Sequence, residues 1–181
     1  MMTPQTPTGF TLVETLVSVL LLTMTIVLPY YAIQRSLTAT YTARDDLIAS
    51  ALAQEALEFV RSTRDNNFLA GRPSSDWLYG LDGGSGEFNC ITPNRCTVDP
   101  TRDTFNQSVI QCASNNCSYL PVYLSATGLY THVVTGVRTR YTRDIQITVI
   151  SANEVRVTAT VKWFYRGAHS IVITDVLTNW L

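Results

Sequence analysis

The first apolar pattern along the chain is a continuous run. From Phe10 to Ile33, 17 of 24 residues are apolar and only Glu14 is charged. As a helix this stretch is about 36 Å long, against roughly 30 Å of hydrocarbon in a bilayer, so it is long enough to cross a membrane. A secretory signal fits it poorly: residues 1–9 contain no Lys or Arg, the run is too long, and no good Ala-x-Ala site follows it. Pro29 removes one backbone hydrogen bond and crowds the preceding turn, which predicts a bend or a locally melted segment near Thr25 to Pro29. Beyond the run the pattern becomes periodic. Ile33, Leu37, Tyr41, Ile48, Leu52, Ala56 and Phe59 recur at multiples of roughly 3.6, with Arg44, Asp45, Asp46, Gln54, Glu55 and Glu58 largely elsewhere. No Gly or Pro interrupts Tyr30 to Asn67, so one helix can run from about Phe10 to Thr63. Arg61 and Arg64 suit its last turn, and Asp65-Asn66-Asn67 is the expected stop.

The pattern changes twice more. Between residues 69 and 118, Gly71, Pro73, Gly80, Gly83, Gly84, Gly86, Pro93 and Pro100 break any period, and Cys90, Cys96, Cys112 and Cys117 all fall there. From Tyr119 onward β-branched and aromatic residues dominate, punctuated by Thr127-Gly128, Thr135-Gly136, Ser151-Ala152-Asn153 and Arg166-Gly167, which predicts an antiparallel meander. Val155, Val157, Ala159, Val161, Trp163 and Tyr165 alternate with Arg156, Thr158, Thr160 and Lys162, so one face of that strand is buried and one is wet. Ile145, Ile147 and Val149 repeat the alternation before it, as do Ile171, Ile173 and, less cleanly, Val176 after it. The expected fold class is α+β: a long helix whose second half packs on a C-terminal antiparallel sheet.

Glu14 is the anomaly of the membrane run, because a carboxylate in hydrocarbon needs a partner and the next basic residue, Arg35, is more than five turns away. The stretch Gly9-Phe10-Thr11-Leu12-Val13-Glu14, followed by the apolar run, resembles the leader junction and N-terminal helix of type IV pilins and type II secretion pseudopilins. The resemblance implies cleavage after Gly9 by a prepilin peptidase, N-methylation of Phe10, and an assembly role for Glu14, which pairs with the N-terminal amine of a neighbouring subunit. It also implies a pilin-like fold. Cleavage would supply the missing cation, and a low-dielectric setting strengthens its attraction to the carboxylate. Pro29 stands near the place of the proline common in that family. The segment Ala53 to Phe68 and the endings Val161-Lys162-Trp163 and Leu177-Thr178-Asn179-Trp180 resemble PilV-like minor pilins. Family leaders usually carry Lys or Arg before the glycine and this one carries none, so its orientation rests on the resemblance. The organisation expected is a leader over 1–9, a membrane helix over 10–34, its amphipathic continuation over 35–68, a disulfide-containing loop region over 69–118 and the sheet over 119–181.

Charge and composition narrow the chemistry. Thirteen Lys plus Arg oppose 14 Asp plus Glu, for a net charge of −1, so no basic excess drives non-specific nucleic-acid binding. The basic cluster Arg138, Arg140 and Arg143 reads as a solvated strand face. Lys162 is the only lysine and does not follow a glycine, which excludes a phosphate-binding Gly-Lys-Ser/Thr loop. His132 and His169 are the only histidines and belong to no catalytic motif, and each reads as a strand-surface or turn residue. An exported location favours disulfides, with Cys90–Cys96 and Cys112–Cys117 the pairs nearest in sequence; nested pairs are the alternative. The cysteine gaps miss the short Cys-x2-Cys spacing of zinc sites, and Asp82 to Glu87 lacks the alternating carboxylates of a calcium loop.

No cofactor, metal or enzymatic activity is expected. The chain is expected to be a structural minor pilin or pseudopilin subunit in the cytoplasmic (inner) membrane, with an exported C-terminal part, that passes into a surface filament. Its partners would be prepilin peptidase, other pilin or pseudopilin subunits, the inner-membrane assembly machinery and membrane lipid. A single-pass binding module that never polymerises is the alternative.

Overall fold

The computed structural model describes Gly9, residues 11–84 and residues 88–180. A single helix, α1 (Leu12–Leu69), is followed by β1 (Cys96–Val98), α2 (Phe105–Ser108), β2 (Val109–Gln111), β3 (Pro121–Leu124), β4 (Tyr130–Thr131), β5 (Val137–Ser151), β6 (Glu154–Phe164) and β7 (Ala168–Thr178). The chain divides into two compact units, residues 1–45 and 46–181, and the boundary falls within α1.

In the first unit α1 is helical without interruption through Pro29, so the melted segment expected near Thr25 to Pro29 is absent. Its apolar side chains from Leu12 to Ile33 are exposed. Polar hydroxyls in the run turn inward on the helix itself: Thr15, Thr23 and Thr25 donate to the carbonyls of Leu12, Leu20 and Leu22, each at 2.8 Å. Apart from Glu14, the surface left is largely apolar, as a hydrocarbon solvent requires. This is one helix long and apolar enough to cross a membrane, consistent with single-pass anchoring.

In the second unit the remainder of α1 packs on an antiparallel sheet, so the fold is α+β. The buried helix face is Ala49, Leu52, Ala53, Ala56 and Val60, at spacings of three and four. Three alanines in that face let the helix backbone approach the sheet closely, while Ile48 and Phe59 flank it half-buried. Across from them lie Tyr141, Ile145 and Ile147 of β5, Val155, Val157, Ala159, Val161 and Trp163 of β6, and Leu177 of β7. The alternation read from the sequence is therefore realised in β6. It fails at Val149, which is half-exposed beside a bulge at the end of the β5–β6 hairpin, and at Tyr165, which falls outside the strand.

The fifteen-residue β5 organises the sheet. Its N-terminal part pairs with β3, Ile145 sits opposite Cys96 of β1, and Thr142 to Ser151 pair with β6, which in turn pairs with β7. The path β2-β1-β5-β3-β4 ends in strands of three and two residues. Residues 69–118 thus supply β1 and β2 as well as turns, and Trp77, Leu78 and Leu81 enter the core. Each turn signal read after Tyr119 falls between two strands. At Gly136 a Cβ would meet the Leu124 carbonyl oxygen at 2.6 Å, so only glycine fits there.

Helix α1 ends later than its sequence implies. The amide of Arg72 donates to Asn67 O at 3.2 Å and that of Gly71 to Phe68 O at 2.9 Å, with Gly71 at φ +70. This is a Schellman closure, and it places the stop at Gly71. Asp65-Asn66-Asn67 lies inside the helix, where Asn67 is buried and donates to Trp77 O and Tyr79 O at 3.2 and 3.0 Å.

Candidate functional site

The N-terminal residues singled out by the sequence sit at the start of α1. Thr11 caps the helix: its hydroxyl oxygen accepts from the Glu14 amide at 3.3 Å, and its carbonyl accepts from the Thr15 amide at 3.2 Å. Thr11-Leu12-Val13-Glu14 has the spacing of a capping box, and a carboxylate in the first turn is favoured by the partial positive charge there. A local helix-starting role for Glu14 was thus legible in the sequence beside the assembly role the resemblance implies. The Glu14 side chain is exposed, and it makes no ion pair among the described residues. Arg35, the nearest basic residue along the run, lies 4.8 Å over the Tyr31 ring. Gly9 is exposed, does not take positive φ, and has open space where a Cβ would stand, so the surroundings described place no demand for glycine there. Phe10 and residues 1–8 lie outside the described residues.

The four cysteines form two local staples in the second unit, Cys90–Cys96 and Cys112–Cys117, with Cα separations of 5.3 and 5.0 Å. Cys96 is the first residue of β1, and backbone bonds from Cys90 to Leu81 O and from Ile147 to Cys90 O tie this staple to both the loop and β5.

Two residues behave differently from their sequence reading. Arg143 does not share the solvated face of the exposed Arg138 and Arg140. Its register opposite Val161 turns it to the inner face of β5, where it is 0% exposed. There it donates to Leu52 O at 3.1 Å, to Val98 O at 2.5 Å and to Glu55, joining helix, β1 and β5 through one guanidinium. His132 lies in the turn after β4, as its sequence reading allowed, but is half-buried there. Its Nε2 lies 2.8 Å from the Thr97 hydroxyl, and burial followed by the charge of Arg143 pushes its pKa down to about 4. Asp99, also fully buried, accepts from the Thr101 hydroxyl at 2.6 Å and from the Thr131 hydroxyl and His132 amide, each at 2.7 Å. Burial alone would raise the Asp99 pKa; these hydrogen bonds outweigh it and the net shift is downward.

This polar node joins β1 to β4 and its following turn. Asp99 meets the backbone amide of His132, and Thr97 is fully buried, so the His132–Thr97 pair offers no nucleophile to an outside substrate. The signal the sequence carried for it is the run of closely spaced polar residues Thr97, Asp99 and Thr101, of which Thr97 lies in β1 and the other two in the turn after it. Among the described residues no group of three or more His, Cys, Asp or Glu converges on a metal position.

Fold and site together define a class: an α+β protein with one N-terminal helix long and apolar enough to cross a membrane. No family model, curated protein or solved structure matches this chain.

Proposed function

We propose that this chain is a structural subunit of a membrane-rooted filament, a minor pilin or pseudopilin of the type IV pilin kind, cut after Gly9, methylated on Phe10 and assembled through its N-terminal helix. The observation that carries the reading is the pairing of a charged and a featureless position at the head of an apolar helix. Glu14 is an exposed carboxylate in a run that otherwise has no charge, and Gly9 is a glycine with no conformational reason described for it. A neighbour's N-terminal amine gives the first a partner, and a leader peptidase gives the second a purpose. Membrane lipid, prepilin peptidase, other subunits and the inner-membrane assembly machinery are the partners in this reading, and the second unit is exported.

The test is Glu14→Gln in the intact protein. It keeps size and hydrogen bonding but removes the charge, leaving the neighbour's amine uncompensated at a loss of about 3–5 kcal/mol if the pair is dry. Filament-associated protein should fall by well over tenfold relative to cleaved, membrane-inserted protein. Equal incorporation at equal membrane abundance contradicts the assembly role.

A further inference from the structure

The two ends of the sheet are treated differently. On one side the path closes in β2 and β4, of three and two residues, which are too short to template another chain. On the other side stands β7, eleven residues long, paired with β6 in unbroken register from Glu154–Thr178 to Phe164–Ala168 and with no further strand beyond it among the described residues. It contains no Pro, Lys, Arg or bulge, the usual means of blunting an edge.

The free side of β7 can be read from its own hydrogen bonds. Asn179 donates its amide to Asn153 O, toward β6. Backbone groups alternate sides along a strand, so the even-numbered residues of β7 aim theirs away from β6. The C-terminal end of that row is already occupied. The Val176 amide donates to Asp175 Oδ1 at 2.9 Å, and Thr178 O accepts from Arg64 at 3.5 Å. Asp175 is itself held by Arg61 at 2.6 Å. The row left open is Ala168, Ser170, Val172 and Thr174, all with exposed side chains, Val172 being 57% exposed, and Ser170, Val172 and Thr174 are its part clear of the strand's start.

We infer that this open stretch of β7 is an interaction edge that takes the same stretch of a second copy of the chain by antiparallel strand addition. Self-pairing fits the chemistry of the row. A two-fold centred on Val172 sets Val172 against Val172 and Ser170 against Thr174, with hydroxyl, methyl and β-branched groups opposed and no like charges facing. The nearest cations on the exposed face, Lys162 and Arg156, stand one strand back in each copy, beside Ser170 and Val176. Those of the two copies would be three strand spacings apart, about 14 Å, beyond the screening length of roughly 8–10 Å at physiological salt. The guarded positions at Val176 and Thr178 limit the pairing to the N-terminal two-thirds of the strand. The inference stands whether or not the chain enters a filament.

The experiment uses the full chain in detergent micelles, comparing wild type with Val172→Lys and Thr174→Lys by sedimentation, with amide hydrogen exchange on the same samples. Wild type should show a concentration-dependent dimer in which the Ser170, Val172 and Thr174 amides exchange slowly. Each lysine variant should weaken the dimer at least tenfold and release those amides, with the thermal midpoint of the diluted monomer unchanged. Three results would overturn the inference: a wild type that stays monomeric at tens of micromolar, a dimer the lysines do not weaken, or a dimer in which those three amides exchange as fast as in the monomer.

Discussion

His132 and Asp99 show how single buried groups make this fold pH-sensitive. An unfolded histidine titrates near 6.5, whereas His132 in the fold titrates at about 4, because burial and Arg143 disfavour its cation. Between those values the unfolded chain binds more protons, so stability falls as pH drops from 6.5 toward 4, by at most about 3 kcal/mol, and the effect then levels off. Asp99 acts lower down. Its folded pKa is depressed, so its contribution is present above the unfolded carboxylate value and is lost as pH falls through the folded one. Denaturant unfolding of wild type and His132→Gln at pH 7, 5.5 and 4 checks this; the variant should be less stable at pH 7 yet lose less on acidification, and equal losses would contradict it. Arg143 supports a second prediction. Because the guanidinium is dry and Glu55 is partly exposed, Glu55→Ala strands a buried cation and should destabilise by about 3 kcal/mol, far more than an ordinary helix-surface change. None of this was legible from residue type. An arginine following Arg138 and Arg140 reads as solvated surface, whereas its place in phase with Ile145 and Ile147, opposite Val161, turns it inward.

At the scale of elements the sequence was readable wherever a period was long. The apolar run, the strand β6 and all four turns after Tyr119 could be read because each repeats or interrupts a pattern in plain view. The end of α1 could not, because Asp65-Asn66-Asn67 looks like a stop until Asn67 is seen bonding to Trp77 O and Tyr79 O, contacts ten and twelve residues away. The β6–β7 turn was located correctly, but its strain was hidden: Arg166 rather than Gly167 takes the left-handed conformation, at φ 53. Arg166→Gly should therefore raise stability by roughly 0.5–1 kcal/mol, read as an upward shift in thermal midpoint; no shift or a fall would show that its contact with the Tyr165 ring, 5.7 Å away, matters more. The two disulfides close short loops, so each should contribute about 2 kcal/mol through the unfolded chain. Alkylation without reductant should label none of the four cysteines, and reduction should lower the melting midpoint; quantitative labelling of the native protein would refute both bonds.

The molecule as a whole is a membrane-capable helix joined without a break to a folded unit, and the two parts answer to different solvents. The second unit contains the core and both disulfides, so a fragment beginning at Ser36 should fold with the same cysteine pairing and pH dependence as the intact chain. In the first unit the apolar side chains from Leu12 to Ile33 are exposed, and in the proposed reading a membrane or an assembly surrounds them. The fold class followed from pattern alone, because a charge-free run, an amphipathic helix and an alternating meander have one common solution. The candidate site was read from a short motif, and in the proposed function its chemistry depends on partners rather than on internal contacts. Intact mass and N-terminal sequencing of the protein from native membranes test that account most directly. The account predicts a chain lacking residues 1–9 and beginning with a methylated Phe10; a mature chain that retains Gly9, or begins elsewhere, contradicts it.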